Sequence, residues 1–151
     1  METRNLYIEP TAKTPQFDFN QITGELILSG KSIPENTTLV FEKALDWVKE
    51  YIKKPKLTTN LRLNLEYFNT SSTIWVAKII KLLCSIKSKE YTLLIHMYFD
   101  IEEYEEMNID DVKDALSPLF ATADVSSVNL GIKMYGTDKK GEILKESIVL
   151  L

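Results

Sequence analysis

Leu61-Arg62-Leu63-Asn64-Leu65-Glu66-Tyr67-Phe68 runs into Asn69-Thr70-Ser71-Ser72-Thr73 and then into Ile74-Trp75-Val76-Ala77-Lys78-Ile79-Ile80-Lys81-Leu82-Leu83. The first segment alternates Leu61, Leu63, Leu65 and Tyr67 with Arg62, Asn64 and Glu66, the period of a strand with one buried and one wetter face. In the last segment only a narrow line of Lys78 and Lys81, continued by Ser85 and Lys89, interrupts an apolar surface, so this helix is expected to be buried on most sides. Trp75 and Ile79 are expected under the sheet, with Lys78 and Lys81 in water. The Asn, Thr and Ser between strand and helix supply oxygens for the first helical N–H groups, which have no partner within the helix. One or two oxygens suffice for a cap, and Thr70, Ser71, Ser72 and Thr73 exceed that need. Two readings stay open: capping alone, or capping plus a hydroxyl held out for regulation. The positive end of the helix dipole would welcome a phosphate there.

Upstream, Leu6 to Ile8 reads as a strand, Thr11 to Pro15 as a break and Gln16 to Asn20 as a short extended piece. Glu25 to Ser29 reads as a strand with Leu26 and Leu28 inward, and Gly30 to Asn36 as a loop whose Asn36, or the following Thr37, caps a helix over Thr38 to Lys54. That helix places Phe41, Ala44, Leu45, Val48 and Ile52 on one stripe, flanked by Trp47 and Tyr51, and Pro55 stops it. Downstream, Tyr91 to Phe99 is a strand, with Leu93, Ile95, Met97 and Phe99 opposite Thr92, Leu94, His96 and Tyr98. An acidic stretch from Asp100 to Met107 reads as a solvated loop and helix start, followed by a helix over Asn108 to Phe120. Val128 to Tyr135 is a strand, Gly136 to Gly141 a hairpin loop, and a last strand lies within Glu142 to Leu151. The alternating strands predict an α/β fold, a mixed sheet with helices mainly on one face rather than a doubly wound sheet.

With 151 residues the chain has the size of a single domain, 1–151. A net charge of −4 without a basic tract argues against nucleic acid as a partner. No apolar stretch approaches a membrane span, and Met1 to Asn5 lacks the apolar run of a signal peptide, so a cytoplasmic protein with no membrane partner is expected. The lone cysteine, Cys84, is read as core. His96, the lone histidine, is expected on the wet face of the sheet with no carboxylate or nucleophile beside it. The five glycines form no phosphate loop, and the acidic residues fit no calcium loop. Neither catalysis, a metal nor a cofactor is expected.

Thr14-Pro15-x-Phe17-Asp18, Gly30-x-Ser32-x-Pro34-Glu35-Asn36, Trp47, and Tyr67-Phe68-Asn69-Thr70-Ser71-Ser72 occur in this order. Together they resemble the SiaC family of bacterial regulatory phosphoproteins over about residues 5–107, including the acidic run to Met107. The chain departs from the family pattern at Lys31, where an acid is expected, at Ile33, where an aromatic is expected, and beyond Met107, where a glycine-acid pattern gives way to an extension over Val128 to Leu151. The resemblance implies a STAS-like (anti-sigma-factor-antagonist-like) sheet with helices on one side and no enzymatic activity. It implies reversible phosphorylation of Thr70 by a cognate serine/threonine kinase and its removal by a metal-dependent phosphatase. It also implies binding of the unphosphorylated form to a diguanylate cyclase, linking the family to biofilm regulation. Asn69, Ser71, Ser72, Pro34, Glu35, Asn36 and Tyr67 would support the site or the partner. The Ser32 to Asn36 loop is expected beside the Thr70 turn, with Glu35 near the hydroxyl. The competing expectation is a small-molecule or lipid-binding domain of the same fold.

Overall fold

The computed structural model describes residues 4–86, 88–108, 110 and 128–149, with the side chains of 67 and 149 left aside. Strands β1 (Leu6–Ile8), β2 (Gln16–Asn20), β3 (Glu25–Ser32), β4 (Thr58–Phe68), β5 (Thr92–Asp100), β6 (Asn129–Thr137) and β7 (Ile143–Val149) form one sheet in sequence order. Helices α1 (Thr37–Tyr51), α2 (Thr70–Cys84) and α3 (Ile101–Glu106) complete the described elements. β3 to β6 pair in parallel, whereas β1, β2 and β7 join antiparallel at the two margins. Parallel neighbours need a crossover, and crossovers are right-handed. Because each one adds its strand in the same direction along the sheet, successive helices fall on the same face. The mixed sheet with helices on one side is thus the fold that the alternation predicted.

That face holds the core. Phe17, Phe19, Leu26, Leu28, Leu61, Leu63, Leu93, Ile95 and Ile132 of the sheet meet Phe41, Ala44, Val48, Ile79, Ile80 and Leu83 of the helices, all buried. α3 packs on β6 over Gly136, where an added Cβ would lie 2.7 Å from Ile101 Cδ1 and 2.9 Å from Tyr104 Cγ. The acidic stretch is therefore a short helix with one face on the core, capped by Asp100, whose Oδ1 accepts from Glu102 N at 2.9 Å. The helix expected over 108–120 falls almost wholly outside the described residues.

Three details differ from the sequence expectations. Trp47 and Tyr51 are core rather than flank, because the antiparallel β1–β2 margin brings Phe19 beneath α1. Phe19 lies 5.3 Å from Trp47, which stacks on Tyr51 at 5.0 Å, while Leu45 and Ile52 turn half outward. Tyr51 keeps its hydroxyl satisfied through Thr59 at 2.8 Å. Second, α1 ends at Tyr51, short of Lys54, and α2 begins at Thr70, four residues before Ile74. Third, His96 is only 4% exposed. On a sheet interior strand it lies between neighbours tall enough to cover it: Tyr135 stacks at 5.7 Å, and Tyr98 stacks on Tyr135 at 4.7 Å.

Candidate functional site

Parallel crossovers bring the ends of β3 and β4, and the starts of α1 and α2, to one edge of the sheet. Lys31 pairs with Tyr67 and Ser32 with Phe68, after a one-residue register slip that follows Gly30. Gly30 has φ 101°, a region that favours glycine. Each helix then opens on an asparagine. Asn36 Oδ1 accepts from Leu39 N at 3.1 Å, and Asn69 Oδ1 accepts from Ser72 N at 2.9 Å.

The loop before α1 and the turn before α2 are joined by polar contacts. Asn69 N donates to Ser32 O at 2.9 Å, and Asn69 Nδ2 to Pro34 O at 3.4 Å. Ser72 is fully buried and donates its one hydroxyl proton to Ser32 O at 3.0 Å. The 2.7 Å contact between the Ser32 and Ser72 hydroxyls must then be a donation from Ser32. Ser71 donates to Asn69 Oδ1 at 3.2 Å, so the 2.6 Å contact with Thr37 is a donation from Thr37 Oγ1. Thr73 donates to Asn69 O at 3.3 Å.

This accounts for three of the four consecutive hydroxyls, each occupied in holding the turn. Thr70 is different. It is exposed, it occupies the first position of α2, and among the described residues its hydroxyl takes part in no hydrogen bond. The turn therefore presents one uncommitted hydroxyl, on backbone fixed by its committed neighbours and beside the positive end of a helix dipole.

The other sequence candidates are placed unevenly. Pro34 is buried and contributes its carbonyl, and Asn36 is an exposed cap. Glu35 is in the adjoining loop, but its side chain is 92% exposed and reaches Lys13 at 3.9 Å rather than Thr70. For Tyr67 only the backbone pairing with Lys31 is described. Ser32 and Thr37, absent from the expected site-supporting residues, carry the bonds between the two helix starts. The serine of Gly30-x-Ser32 was the available signal for the first. Nothing local marks Thr37, whose partner is 34 residues away.

The titratable groups elsewhere make a structural network. On the sheet face opposite α1 and α2, Arg62 Nε donates to Glu25 at 2.8 Å and Nη1 to Tyr98 Oη at 2.7 Å. His96 Nε2 contacts Asn60 Oδ1 at 2.8 Å, which requires a proton on that nitrogen, so Tyr135 Oη donates to Nδ1 at 2.7 Å. Burial, and then the Arg62 charge, push His96 down to about 4, and burial pushes the Cys84 thiol up to about 11. Neither is poised for proton transfer or attack near neutrality. Among the described residues no group of three or more His, Cys, Asp and Glu could hold a metal ion, and no helix is long and apolar enough to cross a membrane.

The family model described as SiaC family regulatory phosphoprotein matches residues 8–122. An uncharacterized protein of Pseudomonas aeruginosa (strain UCBPP-PA14) is 34% identical over 79 residues, 52% of this chain and 63% of that relative's length. The structure of apo-SiaC from Pseudomonas aeruginosa superposes with a TM-score of 0.64 at 25% identity, over 86% of this chain and 98% of the other. SiaC in the complex of the diguanylate cyclase SiaD with its activator SiaC, also from Pseudomonas aeruginosa, gives a TM-score of 0.64 at 23% identity, over 83% and 97%. The latter likeness is one of fold.

Proposed function

The chain belongs to the SiaC family of regulatory phosphoproteins, and on that premise we propose that it is a non-enzymatic signalling adaptor switched by reversible phosphorylation of Thr70. A cognate serine/threonine kinase transfers a phosphoryl group to the Thr70 oxygen, with loss of the hydroxyl proton, and a phosphatase hydrolyses the ester. The unphosphorylated form binds a partner protein. A diguanylate cyclase is the partner class favoured by the SiaC–SiaD complex of the related protein.

The observation that carries this reading is the free, exposed hydroxyl of Thr70 in a turn whose other hydroxyls are occupied. Ser72 is out of a kinase's reach unless α2 detaches from β3, and modification of Ser71 or Thr73 would break bonds that hold the cap. Phosphorylating Thr70 breaks none of these bonds. The α2 cap uses the N–H of Ser72 and Thr73, leaving those of Thr70 and Ser71 for a phosphate.

The test is phosphosite mapping by mass spectrometry after incubation with a cognate serine/threonine kinase, ATP and Mg²⁺. Wild-type protein is expected to gain one phosphate on Thr70, and Thr70→Ala none. Phosphate confined to Ser71 or Thr73 would overturn the reading.

A further inference from the structure

Burial protects one of the four consecutive hydroxyls at the start of α2 and does not protect the one before it. Ser72 has no exposed surface, whereas Ser71 is half-buried and adjoins Thr70 in the same turn. An enzyme that reaches Thr70 therefore meets a second hydroxyl one residue away. What sets Ser71 apart is its hydrogen bonding. It donates its proton to Asn69 Oδ1 at 3.2 Å, and its oxygen accepts from Thr37 Oγ1 at 2.6 Å. Asn69 Oδ1 also accepts from Ser72 N at 2.9 Å and is held by the cap. Thr37 is held as firmly. It is the first residue of α1 and only 9% exposed, and α1 is fixed against α2 by the stacking of Phe41 on Trp75 at 6.2 Å. The donor thus reaches Ser71 from another helix, 34 residues away in sequence.

We propose that Thr37 is a positioning residue that confines phosphorylation to Thr70 by holding the Ser71 hydroxyl out of the reaction. The inference rests on the phosphorylation reading above and adds what selects the site within the turn. Phosphoryl transfer from ATP forms a bond between the hydroxyl oxygen and the γ-phosphorus and breaks the bond from that phosphorus to the bridging oxygen. ADP leaves, and the hydroxyl proton passes to a base on the kinase. Among the described residues Thr70 has both its proton and its oxygen lone pairs uncommitted. Ser71 has neither. Its proton lies on Asn69 and one lone pair holds the Thr37 proton, so both bonds must break before its oxygen can turn to the γ-phosphate. Thr73 donates to Asn69 O and makes no contact with Thr37, so the restraint is specific to Ser71. Removing the Thr37 donor leaves one bond to break instead of two, and a neutral hydrogen bond is equivalent to about three- to tenfold in an equilibrium.

The test compares the full chain with Thr37→Val, which keeps the shape and loses the donor, and with Thr37→Ser, which keeps the donor. Each is incubated with a cognate serine/threonine kinase, ATP and Mg²⁺, and phosphate is assigned residue by residue by mass spectrometry, with the fold checked by circular dichroism. Wild type and Thr37→Ser are expected to carry phosphate on Thr70 alone. Thr37→Val is expected to gain phosphate on Ser71, with the ratio of Ser71 to Thr70 modification raised about three- to tenfold, and to leave Thr73 unmodified. In a Thr70→Ala background, Thr37→Val should turn an inert chain into one phosphorylated on Ser71. A check on the wild type needs no variant: in proton magnetic resonance the Thr37 hydroxyl proton is expected to exchange slowly with water and to show a nuclear Overhauser contact to the Ser71 β-protons. Absence of that contact, or phosphate on Thr70 alone in every variant, would overturn the role of Thr37 and leave the phosphorylation reading standing. Phosphate on Ser71 to the same extent in Thr37→Ser, or spreading to Thr73 in Thr37→Val, would mean that the turn had merely loosened, and overturns it equally. A wild-type chain that takes no phosphate on Thr70 sinks the phosphorylation reading and this inference with it.

Discussion

Thr70 and Ser72 are two residues apart and face opposite duties. Ser72 has no exposed surface and satisfies both the carbonyl and the hydroxyl of Ser32. Ser72→Ala leaves the buried Ser32 hydroxyl without its acceptor and the Ser32 carbonyl with the Asn69 N–H alone, and should cost about 1–3 kcal/mol in urea unfolding. Thr70→Ala removes an unbonded, exposed hydroxyl and should fall within about 0.5 kcal/mol of wild type. Equal losses in the two variants would mean that Thr70 is a structural hydroxyl after all. His96 gives a second expectation at this scale. Its folded value of about 4 lies below the ordinary 6.5, so the folded state holds it neutral and the unfolded state takes up the proton first. The contribution is complete above pH 6.5, drains as pH falls towards 4 and is flat below that, amounting to at most about 3 kcal/mol at 1.36 kcal/mol per unit. Unfolding midpoints at pH 7 and pH 5 should therefore differ, and His96→Gln should flatten this part of the profile. The sequence put His96 on the correct sheet face but in water. Alternation reports the face, and it does not report that Tyr98 and Tyr135 on neighbouring positions are tall enough to bury what lies between them.

At the scale of elements, α2 shows what periodicity can and cannot locate. The apolar pattern starts at Ile74, so the helix was expected there, yet Thr70 to Thr73 are already helical, capped by Asn69. Ser and Thr have middling helix propensity and carry no apolar periodicity, and only the cap geometry marks the true start. Asn69→Ala should cost about 1–2 kcal/mol, because it removes the cap together with the reach to Pro34. The buried side of the helix was legible at Ile79 but not at Trp75, which was expected under the sheet and is half-buried, stacked on Phe41 of α1. Ile79 is 1% exposed between α1 and the sheet, and Ile79→Ala should lower stability by about 2–4 kcal/mol in denaturant. A loss below about 0.5 kcal/mol would place it at the surface. α1 was read less well, since Trp47 and Tyr51 have polar atoms that suggest a boundary. Both are core because Tyr51 finds Thr59 at the start of the next strand and the Trp47 indole N–H finds the Arg4 carbonyl, 43 residues away in sequence.

For the whole molecule, strand alternation and helix positions sufficed to predict a mixed sheet covered on one side, because right-handed crossovers leave few alternatives. The meeting of Ser32 with Ser72 and of Thr37 with Ser71 follows from β3 and β4 being neighbours, a pairing that the sequence suggests only through their shared end of the sheet. The consequence for function is that stability and binding should separate. A phosphate on Thr70 falls outside the core and outside every bond that ties α1 to α2, at the positive end of a helix dipole where a negative charge is favourable by about 0.3–1 kcal/mol. Melting temperatures of the two forms should therefore be nearly equal, with the phosphorylated form equal or slightly higher. A partner docked over the turn would have to strip water from a dianion without a matched arginine, at a cost of several kcal/mol. Even about 3 kcal/mol is a hundredfold in Kd. Thr70→Asp, with a single charge and two oxygens, should weaken binding less than the phosphate does, and Thr70→Ala should bind as wild type while resisting the kinase. Calorimetry of both forms with the partner, beside thermal melts of the same samples, measures the two quantities independently. A phosphorylated form that melts several degrees lower and binds unchanged would place Thr70 within the scaffold of the fold instead of at its switch.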